Sequence, residues 1–219
     1  MRIGVYGGTF DPVHLGHLLL AETCREQARL DRVIFIPAGL PPHKQGREFS
    51  PGNARAEMLE LAIAGHSEFS VDRSEIKRSG PSYTVETLRS LRQEHPTAEL
   101  CFLMGADSLA EFHLWKDPRE IATLAGLIVV NRGSQPPPDL ALLIPQLGEL
   151  AVSHIQPVTM PAVEISASDI RQRAQQGRSL RYLVPRAVER YILEHHLYGA
   201  GGDPSDPGER GTSVPYAVS

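Results

Sequence analysis

The stretch that most limits the fold of this chain runs from Arg2 to His17. Arg2-Ile3-Gly4-Val5-Tyr6 alternates and is rich in β-formers, which predicts a strand. Beyond it, Leu15, Leu18, Leu19, Glu22 and Ala28 fall at helical spacing. Between the two lies Gly7-Gly8-Thr9-Phe10-Asp11-Pro12-Val13-His14-Leu15-Gly16-His17. This is a strand-to-helix turn of an α/β unit, where backbone amides at a helix N-terminus can hold phosphate. Gly7 and Gly8 allow a close backbone approach that a side chain would block. His14 and His17, three apart in the first helical turn, project from one face. Two imidazoles beside free backbone amides make a site for polyphosphate.

The rest of the chain repeats the strand–helix alternation. Leu30-Asp31 closes the first helix, and the near-continuous apolar run Arg32-Val33-Ile34-Phe35-Ile36 suits a strand covered on both faces. Residues 37–49, with Pro41-Pro42-His43-Lys44, have no periodicity; a loop that long in a compact domain is usually functional or mobile. Ser50-Pro51 caps a helix with Ala54, Met58, Leu61 and Ala62 as its apolar stripe. Phe69-Ser70-Val71-Asp72 reads as a short strand that Glu75-Ile76-Lys77 extends. Val85, Leu88 and Leu91 mark a helix stopped by Pro96, and Glu99–Met104 is a buried strand ending at Gly105-Ala106-Asp107.

Asp117-Pro118-Arg119-Glu120 resembles a capping box with proline at the first helical position. Gly126–Val130 is the next strand, and Asn131-Arg132-Gly133 turns out of it. Pro136-Pro137-Pro138 is a rigid break too brief for an interdomain linker. Residues 152–160 form a last strand, Ser166-Ala167-Ser168-Asp169 caps a helix ending at Gly177, and Pro185 opens an amphipathic helix through Leu197. Gly, Pro, Asp and Ser dominate from Gly199, so residues 1–198 form one domain and 199–219 a disordered tail. The fold class is α/β, a doubly wound parallel sheet. Ligands of such sheets bind outside the carboxyl ends of the strands. The turns at Gly7–His17, Lys44, Gly105–Asp107 and Arg132 therefore line one edge.

Composition removes several alternatives. At 219 residues the chain can bury one sizeable core. Its net charge of −4 gives no overall basic field for nucleic acid. No apolar run is long enough to span a bilayer, and the N-terminus lacks a signal-peptide apolar region. Cys24 and Cys101, in a helix and a strand, read as buried thiols of a reducing compartment. A cytoplasmic location follows as an expectation. A zinc site needs a third protein ligand beyond His14 and His17, and His43, His66, His113 and His154 lack the spacing, so no protein-held metal is expected.

The eleven-residue stretch ending in His14-Leu15-Gly16-His17 resembles the signature of the nucleotidyltransferases with a His-x-Gly-His phosphate element. In its longer form it is most similar to the bacterial nicotinate-nucleotide adenylyltransferases. Ile165-Ser166-Ala167-Ser168-Asp169-Ile170-Arg171 resembles the later Ile-Ser-Ser-Thr-x-Ile-Arg motif of that family, with Ala167 and Ser168 in place of serine and threonine. On physical grounds alone, Ser168 and Arg171 share a helix face beside a terminus that suits an anion. Taken alone, His-x-Gly-His reads better as a Gly-rich turn with two surface histidines, and the second motif as an ordinary serine cap with a solvated arginine. The full eleven-residue stretch directly after a strand, supported by the second motif, outweighs both.

The resemblance implies transfer of AMP from ATP to nicotinate mononucleotide in NAD biosynthesis, with Mg²⁺ carried by ATP phosphates and water. It implies an ATP site at Gly7, Gly8, Thr9, Phe10, His14, His17, Gly105, Asp107, Ile165, Ser166, Ser168 and Arg171, of which His14, His17 and Arg171 act in catalysis. It implies a nicotinate mononucleotide site at Thr9, Lys44, Tyr83, Thr84, Trp115 and Arg132, the only tryptophan stacking on the pyridine ring. The polar neighbours of Trp115, namely His113, Lys116 and Asp117, favour a ring presented to a flat ligand. Two other readings fit the front motif: transfer to phosphopantetheine or another phosphorylated acceptor, and a nucleotide-binding regulator without turnover. Neither nucleic acid nor membrane is an expected partner, and the sequence does not fix an oligomeric state.

Overall fold

The computed structural model describes residues 1–41, 49–133 and 139–200. Lys44, the Pro136–Pro138 break and the tail from residue 201 lie outside the described residues. Strands β1 (Arg2–Gly8), β2 (Arg32–Pro37), β3 (Phe69–Val71), β4 (Glu99–Gly105), β5 (Gly126–Arg132) and β6 (Gln156–Met160) form one sheet in the order β3-β2-β1-β4-β5-β6. Every pairing is parallel. The order reverses between β1 and β4, and a doubly wound sheet opens its ligand crevice at that point.

Period-two alternation sends the strand residues to two cores. Tyr6, Val33, Phe35, Cys101 and Leu103 face one side, where helices α1 (Leu15–Gln27) and α2 (Gly52–Ile63) pack. Ile3, Val5, Ile34, Ile36, Leu100, Phe102 and Met104 face the other. There they meet Val85, Leu88 and Leu91, on the stripe expected for the helix before Pro96. Such two-sided burial is why these strands read as continuous apolar runs. Cys24 and Cys101 are both free and buried, and burial pushes the Cys24 thiol up to about 12. Among the described residues no helix is long and apolar enough to cross a membrane.

Several expected details differ. Glu75-Ile76-Lys77 does not extend β3; Asp72 Oδ1 accepts from the Ser74 amide at 2.7 Å and starts the short helix α3 (Ser74–Lys77). Helix α4 (Thr84–Glu94) follows as expected, and a short α5 (Ala106–Ala110), capped by Gly105, follows β4. Helix α6 (Pro118–Leu124) has proline in its first turn but no capping box. Asp117 there is left-handed at φ 51°, and Glu120 is bound to Arg89 at 2.7 and 2.5 Å.

Helix α7 (Ile144–Leu147) precedes α8 (Glu149–Ser153), and α8 takes up the start of the expected last strand. Helix α9 (Ala167–Gln175) has Ser166 Oγ accepting from the Asp169 amide at 3.1 Å, the serine cap read from sequence. Helix α10 (Arg186–Glu194) stops before Leu197, which lies in a following turn of 3₁₀ helix over Leu197–Gly199. On α2, Met58 is buried as the expected stripe requires and Ala54 and Ala62 are half-buried, but Leu61 is exposed and Arg55 is buried. On α1 the fully buried positions are Leu20, Ala21 and Cys24 rather than Leu15, Leu18 and Leu19. Gly199 and Ala200 belong to the folded body: Ala200 is 2% exposed within the core.

Candidate active site

The crevice begins at the end of β1. There Phe10 is held at φ 50°, a conformation a non-glycine residue rarely adopts outside a constrained site. His14 caps α1 and His17 sits in its first turn, with the two rings stacked at 3.6 Å and 21°. A Cβ on Gly16, between Leu15 and His17, would crowd His14 Nδ1 at 3.1 Å and push the His14 ring from its place. The His14 amide donates to His17 Nδ1 at 3.3 Å, which leaves Nε2 of neutral His17 to carry the proton. Phe10 and Tyr6 hold the His17 ring edge-on, at 5.0 and 6.2 Å.

His14 is nearly buried, and among the described residues its Nδ1 has no hydrogen-bond partner. Native structures rarely leave such an atom unsatisfied, and a bound anion would satisfy it. Burial, with a smaller contribution from the Arg132 charge, lowers the His14 pKa to about 4. The ring is therefore neutral at pH 7, and the unfolded chain takes up the extra proton between about pH 6.5 and 4. Stability conferred by neutral His14 is full above that window and is lost as pH falls through it. Between pH 7.5 and 5, wild type should lose about 2 kcal/mol more than His14→Gln. Urea titrations of both proteins at the two pH values measure this; parallel losses would show that His14 is not buried neutral.

The second motif comes to the same turn. Arg171 Nη1 donates to the Asp11 carbonyl at 2.7 Å, joining residues 160 positions apart. Ser168 and Ser166 are exposed at the start of α9, their hydroxyls 3.3 Å apart. Ile165 packs at the edge of the core beside Gly16, 3.9 Å from where its Cβ would lie. Gly105 and Asp107 lie across the switch point at the end of β4, with Asp107 exposed.

On the β2 side, Gly7, Gly8 and Thr9 share a cavity of about 220 Å³ with Tyr83, Thr84 and Trp115. Trp115 is half-buried and packs against Phe102 at 5.8 Å and Phe112 at 5.5 Å, so it is both core and cavity wall. Lys116 lies 4.3 Å over the Tyr83 ring and is paired with Glu86 at 2.7 Å. Thr84 opens α4 at the cavity wall, and the Glu86 amide in that first turn donates to the Tyr83 carbonyl at 3.0 Å. Arg132 does not line this cavity; it is exposed at the end of β5, where its charge is felt at His14.

Sequence reasoning missed the buried polar residues behind the crevice. Arg55 donates to the carbonyls of Thr9, Ser50 and Gly39 at 2.7, 3.0 and 3.4 Å. Asp11 accepts from Tyr198 at 2.7 Å and from the Ser50 amide at 3.3 Å. Glu75, in the cavity wall, accepts from Thr87 at 2.5 Å, and burial raises its pKa. These partners are backbone groups or lie far away in the chain, so no local spacing announces them. Among the described residues, no three His, Cys, Asp or Glu side chains come together to hold a metal.

The family model described as cytidylyltransferase-like matches residues 5–173. A probable nicotinate-nucleotide adenylyltransferase of Thermomicrobium roseum is 46% identical over 197 residues, covering 90% of this chain and 91% of the relative. One from Thermus thermophilus is 45% identical over 198 residues, covering 90% of this chain and all of the relative. The fold is similar to that of Plasmodium falciparum nicotinic acid mononucleotide adenylyltransferase complexed with NaAD. That structure gives a TM-score of 0.69 at 18% identity, covering 90% of this chain and 97% of the other. The chain therefore belongs to the cytidylyltransferase-like nucleotidyltransferases, among the nicotinate-nucleotide adenylyltransferases.

Proposed function

We propose that the protein transfers AMP from ATP to nicotinate mononucleotide, giving nicotinate adenine dinucleotide and pyrophosphate for NAD biosynthesis. One observation carries this reading: the phosphate turn and an aromatic cavity share a wall at Gly7-Gly8-Thr9, with Trp115 and Thr84 opposite. An acceptor whose ring rests on Trp115 directs its phosphate toward the turn where ATP binds. The acceptor phosphate oxygen attacks the α-phosphorus, a P–O bond forms, and the bond to pyrophosphate breaks. This needs no covalent nucleophile, so catalysis rests on positioning and on charge stabilisation.

His17 Nε2 donates to the α-phosphate as its charge grows, and His14 lies beside the chain. Ser168 and Arg171 hold the β- and γ-phosphates, while Gly105 and Asp107 take the ribose of ATP. Arg132 adds positive charge near His14, where the acceptor phosphate approaches the α-phosphate. Lys44, in the 37–49 loop, serves the same acceptor phosphate. Amides at the start of α4, with the Thr84 hydroxyl, read the nicotinate carboxylate. Mg²⁺ would be carried by the ATP phosphates and water rather than by protein ligands, and there it would neutralise charge on the departing pyrophosphate.

The test is pyrophosphate release from ATP and Mg²⁺ with nicotinate mononucleotide, nicotinamide mononucleotide or phosphopantetheine as acceptor. The highest kcat/KM is expected with nicotinate mononucleotide. A preference for phosphopantetheine would reassign the acceptor. Nucleotide binding with no release from any of the three would replace the enzyme with a regulator.

A further inference from the structure

Arg55 is 2% exposed on α2, a setting in which an arginine survives only when its charge and donors are satisfied. What it holds is backbone. Nη1 donates to the Thr9 carbonyl at 2.7 Å, Nε to the Ser50 carbonyl at 3.0 Å, and Nη2 to the Gly39 carbonyl at 3.4 Å. Its charge is opposed nearby by Asp11, which also accepts from the Ser50 amide at 3.3 Å. Ser50 is thus gripped on both of its backbone polar groups.

Gly39 is gripped in the same way, since its amide donates to Ser82 Oγ at 2.9 Å. No other residue fits there, because a Cβ on Gly39 would lie 2.4 Å from the Glu75 carbonyl oxygen. The cavity walls explain the arrangement. Thr9 lines the cavity, and so do Ala38 and Pro41, on the segment that carries Gly39. A single planar guanidinium ties the two together, which a lysine with one point of charge cannot reproduce.

We infer that Arg55 is a positioning residue for the acceptor, setting the width of the cavity between Thr9 and Gly39. The inference rests on the proposed activity for the identity of that acceptor. The histidine side of the crevice has a support of its own, the ring stack of His14 and His17, while Thr9 and Asp11 are shared between the two sides. Loss of the clamp therefore loosens acceptor binding more than ATP binding.

Trp115 is the only tryptophan and lines this cavity, so its emission reports acceptor binding without turnover. The experiment titrates wild type and Arg55→Lys with nicotinate mononucleotide by tryptophan fluorescence. A non-hydrolysable ATP analogue is titrated by calorimetry, and KM is measured for both substrates. Expected for Arg55→Lys is a roughly fivefold rise in Kd and KM for nicotinate mononucleotide, with ATP values within twofold of wild type. Arg55→Ala should show a larger rise that millimolar guanidinium partly reverses; should it fail to fold, Arg55→Lys decides alone. Unchanged acceptor binding, or equal weakening of both substrates with a lower Tm, would reduce Arg55 to a stabilising residue and overturn the inference. A wild-type protein that neither binds nicotinate mononucleotide nor releases pyrophosphate with it overturns the activity itself, and the inference falls with it.

Discussion

Replacing His17 by alanine should lower kcat by roughly 10²–10³, the scale for losing one preorganised transition-state donor. The ring is fixed before substrate arrives. It is stacked on His14 at 3.6 Å, held edge-on by Phe10, and set in its tautomer by the His14 amide. A donor held this way needs little reorganisation as charge develops on the α-phosphate. A flexible lysine placed there would need more. Loss of the ring also removes a stacking contact worth about 1 kcal/mol, so a small drop in Tm accompanies the kinetic loss. KM for ATP should change far less than kcat, because the interaction strengthens only in the transition state. Steady-state kinetics on His17→Ala decide the matter. Turnover within a few-fold of wild type would remove His17 from the chemistry.

Sequence and structure agree where the local pattern is driven by burial. β2 and β4 are covered on both faces, so each is an unbroken apolar run and needs no partner to be recognised. The front turn was legible for another reason: its eleven residues directly follow a strand and are matched by a second motif at Ile165–Arg171. Short elements were not. Glu75-Ile76-Lys77 alternates over only three residues, too few to separate a strand from one helical turn, and the Asp72–Ser74 bond chose the turn. Asp117 and Glu120 have the spacing of a capping box, but the left-handed backbone at 117 and the Arg89 partner of Glu120 override it.

The site was half-visible for a related reason. Groups that meet ligand occur in motifs, whereas Arg55 meets three carbonyls, and carbonyls carry no residue identity. Asp11 and Tyr198 are 187 positions apart, and only the finished fold brings them together at 2.7 Å. The same bond explains why the chain stays ordered past Leu197. Arg132, a bare cation in sequence, gains meaning only from the strand order that carries β5 to the His14 side of the crevice.

Trp115→Ala should raise KM for nicotinate mononucleotide by at least roughly tenfold, with a smaller effect on ATP. Stacking of a base on an aromatic side chain is worth about 1–3 kcal/mol, and a pyridinium adds a cation–π contribution. The indole is braced by Phe102 and Phe112, so its orientation costs the complex little entropy. The same contacts mean that alanine also opens a void in the core, and Tm should fall. Trp115→Phe separates the two effects: it keeps an aromatic face and most of the packing, so acceptor KM should recover more fully than that of the alanine variant. Preference for the acid over the amide should largely persist in both variants, because in the proposed function the carboxylate meets donors at the start of α4 rather than the ring. Kinetics with nicotinate and nicotinamide mononucleotide on each variant provide the measurement. Should Trp115→Ala weaken ATP alone, the indole would belong to the adenosine site, and the acceptor would have to lie on the far side of Gly7-Gly8-Thr9.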